Sequence, residues 1–309
     1  SRIILFLIFF LIFYLIIWPE LWTDPFGVLF KTLNFMRSHF LSLNIFYLGE
    51  YYFFSEIPWH YHLISILTST PLLYIFLFLI EFFFIFKRLI IRLINIEENN
   101  SHKDLWRGKK ELIDYIFLII VISVILIAID TGKISYNGWR HLYFIYPCII
   151  LISLRGLYIL QTINIFKNRK NVFKSCIFLT LIPTAYWMLI NHPFQNLYFN
   201  SIFKSNYNKY FEVDYWGLTN KKALEIIIEQ GKDTNNVYME GTSDLNLSKR
   251  ILDKNDRKKI NIVGTIEEAD FIVNHFYNWR NKGNWQKNEP PVGFKILEEI
   301  KIDDISINS

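Results

Sequence analysis

Long apolar stretches are the feature of this sequence that most limits how the chain can fold. A helix needs about 20 mainly apolar residues to cross the hydrocarbon core of a bilayer. Five stretches reach or approach that length: Ile3–Trp18, Leu63–Phe86, Leu112–Ile129, Leu142–Leu160 and Cys176–Ile190. They predict an α-helical multi-pass membrane protein with about five spans.

The composition indicates two unlike parts. The mean hydropathy of +0.22 is low for a wholly embedded chain, although 52% of the 309 residues are hydrophobic. Asn, Lys, Asp and Glu become common after Ile190, so we predict a transmembrane region, 1–190, followed by a small extracytoplasmic α/β domain, 191–309. The two cysteines exclude a disulfide-stapled fold, and no basic block is long enough for a nucleic-acid surface.

Basic residues in the loops predict the orientation of the helices, because Lys and Arg are retained on the cytoplasmic side. The loops after the second and fourth stretches are rich in basic residues, among them Arg88, Arg92, Arg107, Lys170 and Lys174. The intervening loops are poor in them, so these loops and the tail after Ile190 are predicted to face outward. The tryptophans cluster at the outer ends, as interface anchors do.

The first outer loop, 19–62, contains a helical pattern. Its apolar residues recur at helical spacing at Leu29, Leu33, Met36, Phe40 and Leu43. This stripe is typical of an amphipathic helix on the outer leaflet. An ordinary helix packed on the bundle has the same pattern, and the sequence leaves both open.

Pro71 lies inside the second apolar stretch and predicts a kink there. The hydroxyl groups of Ser69 and Thr70 are expected to bond the carbonyl that the proline frees. Glu81 lies in the same stretch, and the nearby Lys87 and Arg88 favour a position close to the inner interface.

The tail shows the alternation of an α/β domain. Helices are predicted at 221–230, with Gly231 as the C-cap, and at 244–252. Short strands are predicted at 236–239, 260–263, 271–273 and 294–302. The tail contains no glycine-rich phosphate loop, zinc-spaced cluster or nucleophile elbow, so its expected role is structural or substrate-positioning.

An ordered series of short motifs carries a resemblance to a known family. The motifs are WPELWTDP (18–25), YLGE (47–50), PWHYH (58–62), TSTP (68–71), YNGWRHLYF (136–144), HPFQNLYFN (192–200) and VDYWGL (213–218). Together they resemble the C-terminal portion of bacterial integral-membrane glycosyltransferases of family 39. These enzymes are relatives of protein O-mannosyltransferases and aminoarabinose transferases and have the GT-C architecture.

The resemblance implies a reaction on the outer face of the bacterial inner membrane. A sugar moves from a polyprenyl-phosphate carrier to a lipid, protein or glycan acceptor, and no nucleotide takes part. A carboxylate deprotonates the acceptor, and cations stabilise the departing phosphate. No cofactor is implied, and dependence on a divalent metal stays open. The family's best-known catalytic acid would precede Ser1, and because the chain starts without Met we expect it to begin inside a longer protein.

Arg140 and His141 are the first candidates for binding the lipid phosphate. With Trp139, they lie where an outer loop enters the fourth stretch, at headgroup depth. Arg binds phosphate in a bidentate way. A snorkelling interface arginine with a capping histidine is the alternative. Asp130 could pair with Arg140 or Lys133, and structural pairing is the favoured role.

Further candidates are the other outer-face histidines and acids. His60 and His62 share a face only in an extended segment, and a metal would need more ligands, so no metal site is predicted. Glu20, Asp24 and Glu50 could hold the acceptor or a cation, although most acids in such loops are solvated. His192 could face a cavity or cap the entry to the tail domain.

Two other classes of protein share part of this pattern. A transporter is disfavoured because the spans contain few ionisable residues and no inverted pair of broken helices. A non-catalytic, membrane-anchored binding protein would use the outer domain as its working part. The partners expected for the transferase are the lipid-linked donor, an unidentified acceptor and membrane lipids, without nucleic acid.

Overall fold

Helices formed by the apolar stretches dominate the computed structural model. The structure describes residues 2–38, 44–53, 56–94, 105–106, 108–131, 136–162, 169–241, 243–274 and 290–309. It divides into two units, Ser1–Ser42 and Leu43–Ser309, and each is described by itself.

The first unit consists of two helices, α1 (Arg2–Ile17) and α2 (Pro25–Ser38), with a 3-10 turn at Pro19–Trp22 between them. Pro25 occupies the first turn of α2, where its missing N–H is not needed. The α2 helix includes the predicted stripe as far as Met36, whereas Phe40 and Leu43 lie outside the described residues.

The helices of the second unit follow the later apolar stretches. They are α3 (Tyr61–Ser69), α4 (Leu72–Ile94), α5 (Lys109–Thr131), α6 (Tyr146–Thr162) and α7 (Lys170–Ile190), with a 3-10 turn at Arg140–Ile145 leading into α6. Three segments are long and apolar enough to cross a membrane: Lys109–Asp130, Arg140–Thr162 and Asn171–Ile190. Three of the predicted spans are thereby confirmed as helices of sufficient length.

The other two predicted spans are not confirmed. Helix α1 includes an apolar segment, Ile4–Ile17, that is shorter than a span. The stretch predicted at Leu63–Phe86 is divided between α3 and α4. The second unit also runs through position 190, where α7 ends, so the boundary between regions 1–190 and 191–309 stays a prediction.

The break between α3 and α4 corrects the predicted kink. In a continuous helix the carbonyl of Leu67 would accept from the amide of residue 71, but Pro71 has no N–H. The Ser69 hydroxyl bonds Ser65 instead of this carbonyl. Asn200 supplies the missing donor, since its side-chain amide donates to the carbonyls of Leu67 (2.5 Å) and Thr70 (3.0 Å).

Helices α4 and α6 approach each other closely through small residues. A Cβ atom at Gly156 would overlap the carbonyl oxygen of Leu77. The Ser153 hydroxyl reaches the carbonyls of Ile149 (2.8 Å) and Tyr74 (2.9 Å). Small side chains let membrane helices pack backbone to backbone in this way.

A buried ion network joins α4, α5 and α6. Glu81 and Asp114 are buried, and the same nitrogen of Arg88 lies 3.3 Å from a carboxylate oxygen of each. Arg155 donates to both oxygens of Asp114, at 2.9 and 3.1 Å. Paired arginines and carboxylates offset the cost of burying charge, so this network fastens three helices together.

The tail adds small sheets and short helices. Its elements are α8 (Asn220–Gln230), β3 (Asn235–Glu240), α9 (Leu245–Ile251), α10 (Lys254–Lys258), β4 (Ile260–Ile262), β5 (Phe271–Asn274), β6 (Ile300–Ile302) and β7 (Ile305–Asn308). Earlier in the same unit, β1 (Asn44–Tyr47) and β2 (Glu50–Phe53) form a hairpin. Strands β4, β3 and β5 form a parallel sheet in that order. Of the strand predicted at 294–302, only Ile300–Ile302 forms a strand, and it pairs with β7 in a separate two-stranded antiparallel sheet.

Gly156→Ala should destabilise the second unit by about 1–3 kcal/mol, because the added methyl forces α4 and α6 apart. An unhindered Gly→Ala change in a helix would instead stabilise it, by about 0.5–1 kcal/mol. Thermal unfolding in detergent measures the difference. Gly264→Ala is the control, since a Cβ there meets no atom within 4 Å. A higher melting temperature for Gly156→Ala would contradict the close packing.

Asp114→Asn should destabilise the protein by about 3 kcal/mol, because it leaves Arg88 and Arg155 without their shared carboxylate. The control is Glu225→Gln, which removes an exposed pair with Lys221 and should cost about 0.5 kcal/mol or less. Equal shifts in melting temperature for the two variants would show that the network does not fasten the helices.

Candidate functional site

The segment 136–141 is held against α3 by two side-chain hydrogen bonds. The amide of Gly138 donates to the Tyr61 hydroxyl at 2.9 Å, and the Trp139 indole donates to the Ser69 hydroxyl at 2.7 Å. Asn137 and Gly138 both have positive φ, at 54° and 70°, which turns the chain so that these donors face α3. These contacts therefore fix the position of the loop where it enters the 3-10 turn that begins at Arg140.

Arg140 is held by aromatic rings. Its guanidinium carbon lies 4.8 Å from the ring centre of Tyr136, 4.8 Å from that of Trp216 and 5.9 Å from that of Tyr215. Its Nε donates to Nε2 of His141 at 3.1 Å. Across the described part of the chain, no carboxylate forms an ion pair with Arg140. We call Arg140 and these three rings the arginine cage.

A capped turn in the tail presents two of the cage rings. Asp214 is buried with φ 41°, and its carboxylate accepts the amides of Leu218 (2.8 Å) and Thr219 (3.0 Å) as well as the Thr219 hydroxyl. Burial raises the pKa of Asp214, and these hydrogen bonds act in the opposite direction. The turn fixes Tyr215 and Trp216 where they reach Arg140.

His62 and His141 lie near each other. His62 is buried in α3, and burial together with the charge of His141 lowers its pKa to about 4. His62 is therefore neutral at pH 7. The ring of His141 packs on Tyr136 with their centres 4.6 Å apart, so both candidates for the phosphate site, Arg140 and His141, contact the same tyrosine.

The two histidines of the PWHYH motif have different surroundings. Nδ1 of His60 lies 2.6 Å from the hydroxyl of Tyr47, so the side chain of His60 is tied to strand β1. His62 belongs to α3, next to His141. Within the described residues, no group of three or more His, Cys, Asp or Glu side chains could hold a metal ion.

Two of the predicted acids, Glu50 and Asp130, do not join the arginine cage. Glu50 is exposed and accepts the hydroxyl of Tyr52 at 3.1 Å. Asp130 is exposed at the end of α5, and no ion pair joins it to Arg140. Its other predicted partner, Lys133, lies outside the described residues.

Two of the acids lie in the first unit. Glu20 accepts from the Trp18 indole at 3.2 Å, and Asp24 accepts the amide of Gly27 at 2.9 Å. Asp24 thus caps the start of α2. His192 is exposed in the second unit, with its Nδ1 2.7 Å from the side-chain nitrogen of Gln195.

Sequence reasoning missed one acid, Glu212. It lines a cavity of about 70 Å³ whose walls come from β1, α3, the 136–143 segment and the tail. The other lining residues include Tyr47, Tyr61, Ser69, Trp139, Tyr143 and Tyr215. Glu212 directly precedes the VDYWGL motif, and that proximity was the signal that could have drawn attention to it.

Comparisons with protein-family models, with curated proteins and with solved structures gave no match.

The low pKa of His62 predicts a pH-dependent loss of stability. In the unfolded chain this histidine titrates near its ordinary pKa of 6.5, against about 4 when folded. The unfolded state then binds more protons between these values, so stability is fully present above pH 6.5 and falls toward pH 4. Melting temperatures across this range should fall less for His62→Gln than for wild type. If the melting temperatures of His62→Gln and wild type fall equally with pH, the prediction is wrong. The control is His192→Gln, because His192 is exposed.

Proposed function

We propose that the chain is part of a membrane glycosyltransferase that moves a sugar from a polyprenyl-phosphate carrier to an acceptor. The observation that carries the proposal is the arginine cage, where a guanidinium is oriented by π-systems and no described carboxylate neutralises it. Cation–π contacts attract a cation by about 0.5–2 kcal/mol and leave its hydrogen-bond donors available. An anion of a ligand is the natural partner for such a group.

A lipid phosphate fits this position by its chemistry. Arg140 begins the 3-10 turn that leads into an apolar helix long enough to cross a membrane, so its charge lies at the end of that helix. A prenyl chain would run along the apolar helix surface while its phosphate meets Arg140. Bidentate hydrogen bonds from a guanidinium to phosphate oxygens are strong and directional.

Arg140 would contribute to transfer by stabilising the leaving group. When the bond between the sugar and the phosphate breaks, negative charge builds on the phosphate oxygens. A positioned cation is worth more in that state than in the ground state, which lowers the barrier. His141 accepts from Nε of Arg140, and the two terminal guanidinium nitrogens are the donors that a phosphate would use.

The charges of the loops support a proposal about which side of the membrane the arginine cage and the tail face. Basic residues concentrate in the loops after α4 and α6, and these loops are taken as cytoplasmic. The cage and the tail then face outward, which in a bacterium is the periplasmic side of the inner membrane. The acceptor would be a lipid, a protein or a glycan.

Arg140→Gln should weaken binding of undecaprenyl phosphate by about 10- to 100-fold, because a charged hydrogen-bond donor is lost. Arg140→Lys should recover part of the affinity, since it keeps the charge but lacks the planar fork. Binding to the detergent-solubilised chain can be measured by thermophoresis. In the Arg140→Ala variant, guanidinium chloride at low millimolar concentration should restore part of the binding of undecaprenyl phosphate.

Arg250→Ala provides the matched control, because Arg250 is an exposed arginine of α9 in the tail. This variant should bind undecaprenyl phosphate like wild type. If Arg140→Gln also binds it with unchanged affinity, the cage is not the phosphate site and the proposed function loses its support.

A further inference from the structure

A cavity of about 460 Å³ lies at one edge of the parallel sheet in the tail. All four residues of β5 line it, together with Ala269 and Asp270 directly before them. Successive side chains of a strand point to opposite faces of a sheet, so a cavity that touches consecutive residues runs along the edge of the strand. Strand β5 ends the order β4, β3, β5, and its outer edge therefore faces this cavity. We call the cavity the edge slot.

The outer edge of β5 already pairs with another stretch of backbone at one end. The amide of Asn274 donates to the carbonyl of Ser309 at 2.8 Å, and the amide of Ser309 donates to the carbonyl of Asn274 at 2.9 Å. None of the strands that the structure describes pairs with the rest of this edge, Phe271–Val273. An edge strand of this kind is a template for pairing with a further strand.

The opposite wall of the edge slot is the segment 294–298, which has the sequence of a strand. The apolar pattern predicts a strand at 294–302, yet only Ile300–Ile302 forms one. Residues 294–298 line the cavity in succession, and no described strand pairs with them. Two segments suited to strand pairing thus face the same cavity from opposite sides. An extended peptide placed between them could form backbone hydrogen bonds to β5 and to this segment.

One wall of the edge slot is apolar. Ala223, Ile226 and Ile227 line it, and all three belong to the buried side of α8. In an added strand, alternate side chains would point toward this wall and the others away from it. The slot therefore suits a peptide with apolar residues at every second position.

Carboxylates outnumber cations in the edge slot. Its acids are Glu240, Asp270 and Glu298, and the one cation in the described lining is Lys295. Asp270 lies 3.8 Å from the amine of Lys232. The other two acids accept from neutral side-chain amides. The distance is 3.4 Å from Asn274 to Glu240 and 3.3 Å from Gln230 to Glu298.

These neutral donors leave the charges of Glu240 and Glu298 uncompensated. Burial also raises the pKa of Glu240, and a cation brought next to this carboxylate would stabilise its charged form. By charge complementarity, the edge slot favours a peptide with a basic residue over one with an acidic residue.

We propose that the edge slot binds an extended peptide of a partner protein, which adds to the sheet as a strand beside β5. The peptide has apolar residues at alternate positions, facing α8, and a lysine or arginine that meets the carboxylates of the slot. Backbone hydrogen bonds supply affinity and the alternate side chains supply specificity. This site goes beyond the proposed function, because the slot shares no lining residue with the arginine cage.

An array of synthetic peptides tests the proposal on the full chain in detergent. Its members alternate valine and threonine and carry a terminal lysine, a terminal glutamate or neither. The lysine peptides should bind most tightly, and the glutamate peptides should bind about tenfold more weakly or worse. Methylation of the peptide's backbone amides should abolish binding, because it removes the donors that strand pairing needs.

Two variants and a control locate the site. Ala269→Trp should abolish peptide binding, because Ala269 is half-buried in the wall of the slot and a large side chain there would fill it. Glu298→Gln should weaken binding of the lysine peptides by about two- to fivefold and leave that of the neutral peptides unchanged. The matched control, Asp253→Asn, removes an exposed carboxylate outside the slot and should bind like wild type.

The proposal is overturned if methylated peptides bind as tightly as unmethylated ones, or if a folded Ala269→Trp variant binds the lysine peptides like wild type. It is also overturned if the wild-type chain binds no peptide of the array, whether a second copy of the chain occupies the slot or nothing does. Melting temperatures show which variants fold. Should Ala269→Trp not fold, Glu298→Gln and the methylated peptides still decide the question.

Discussion

The carbonyl groups at the end of α3, one of which Pro71 leaves without an amide donor, determine how this part of the second unit is assembled. Asn200 donates to the carbonyls of Leu67 and Thr70 through its side chain and to that of Thr68 through its backbone, at 2.9 Å. A tail residue therefore completes the end of α3. The same end of α3 carries Ser69, which receives the indole of Trp139, so the helix break, the tail and the loop before Arg140 depend on one another.

Arg88 and Arg155 differ from Arg140 in their electrostatic setting, and the contrast supports the functional interpretation. Arg88 and Arg155 lie among buried carboxylates, which balance their charge and join three helices. Arg140 lies on aromatic rings, which orient a cation without neutralising it. The first setting suits a structural role, whereas the second leaves a positive charge available to a ligand at the end of an apolar helix.

Local sequence patterns predicted the helices and strands whose formation depends on residues that are close in the chain. The later apolar stretches form helices, and α8 with its Gly231 cap and strands β3 to β5 match their predicted positions to within about two residues. The hairpin β1–β2 was missed because Leu48 adopts φ 52°, which its residue type disfavours. The role of Asn200 could not be predicted, since the carbonyl groups that it bonds are distant in the chain and meet it only in the fold.

Photo-crosslinking tests the central claim, that the arginine cage holds a lipid phosphate, most directly. A polyprenyl phosphate carrying a diazirine next to the phosphate would be irradiated with the full chain in membranes, and the labelled peptides mapped by mass spectrometry. The account predicts labels within 136–146 and 211–218 that excess undecaprenyl phosphate abolishes. Labelling concentrated around Arg88 and Arg155, in the ion network that joins α4, α5 and α6, with 136–146 and 211–218 unlabelled, would contradict it.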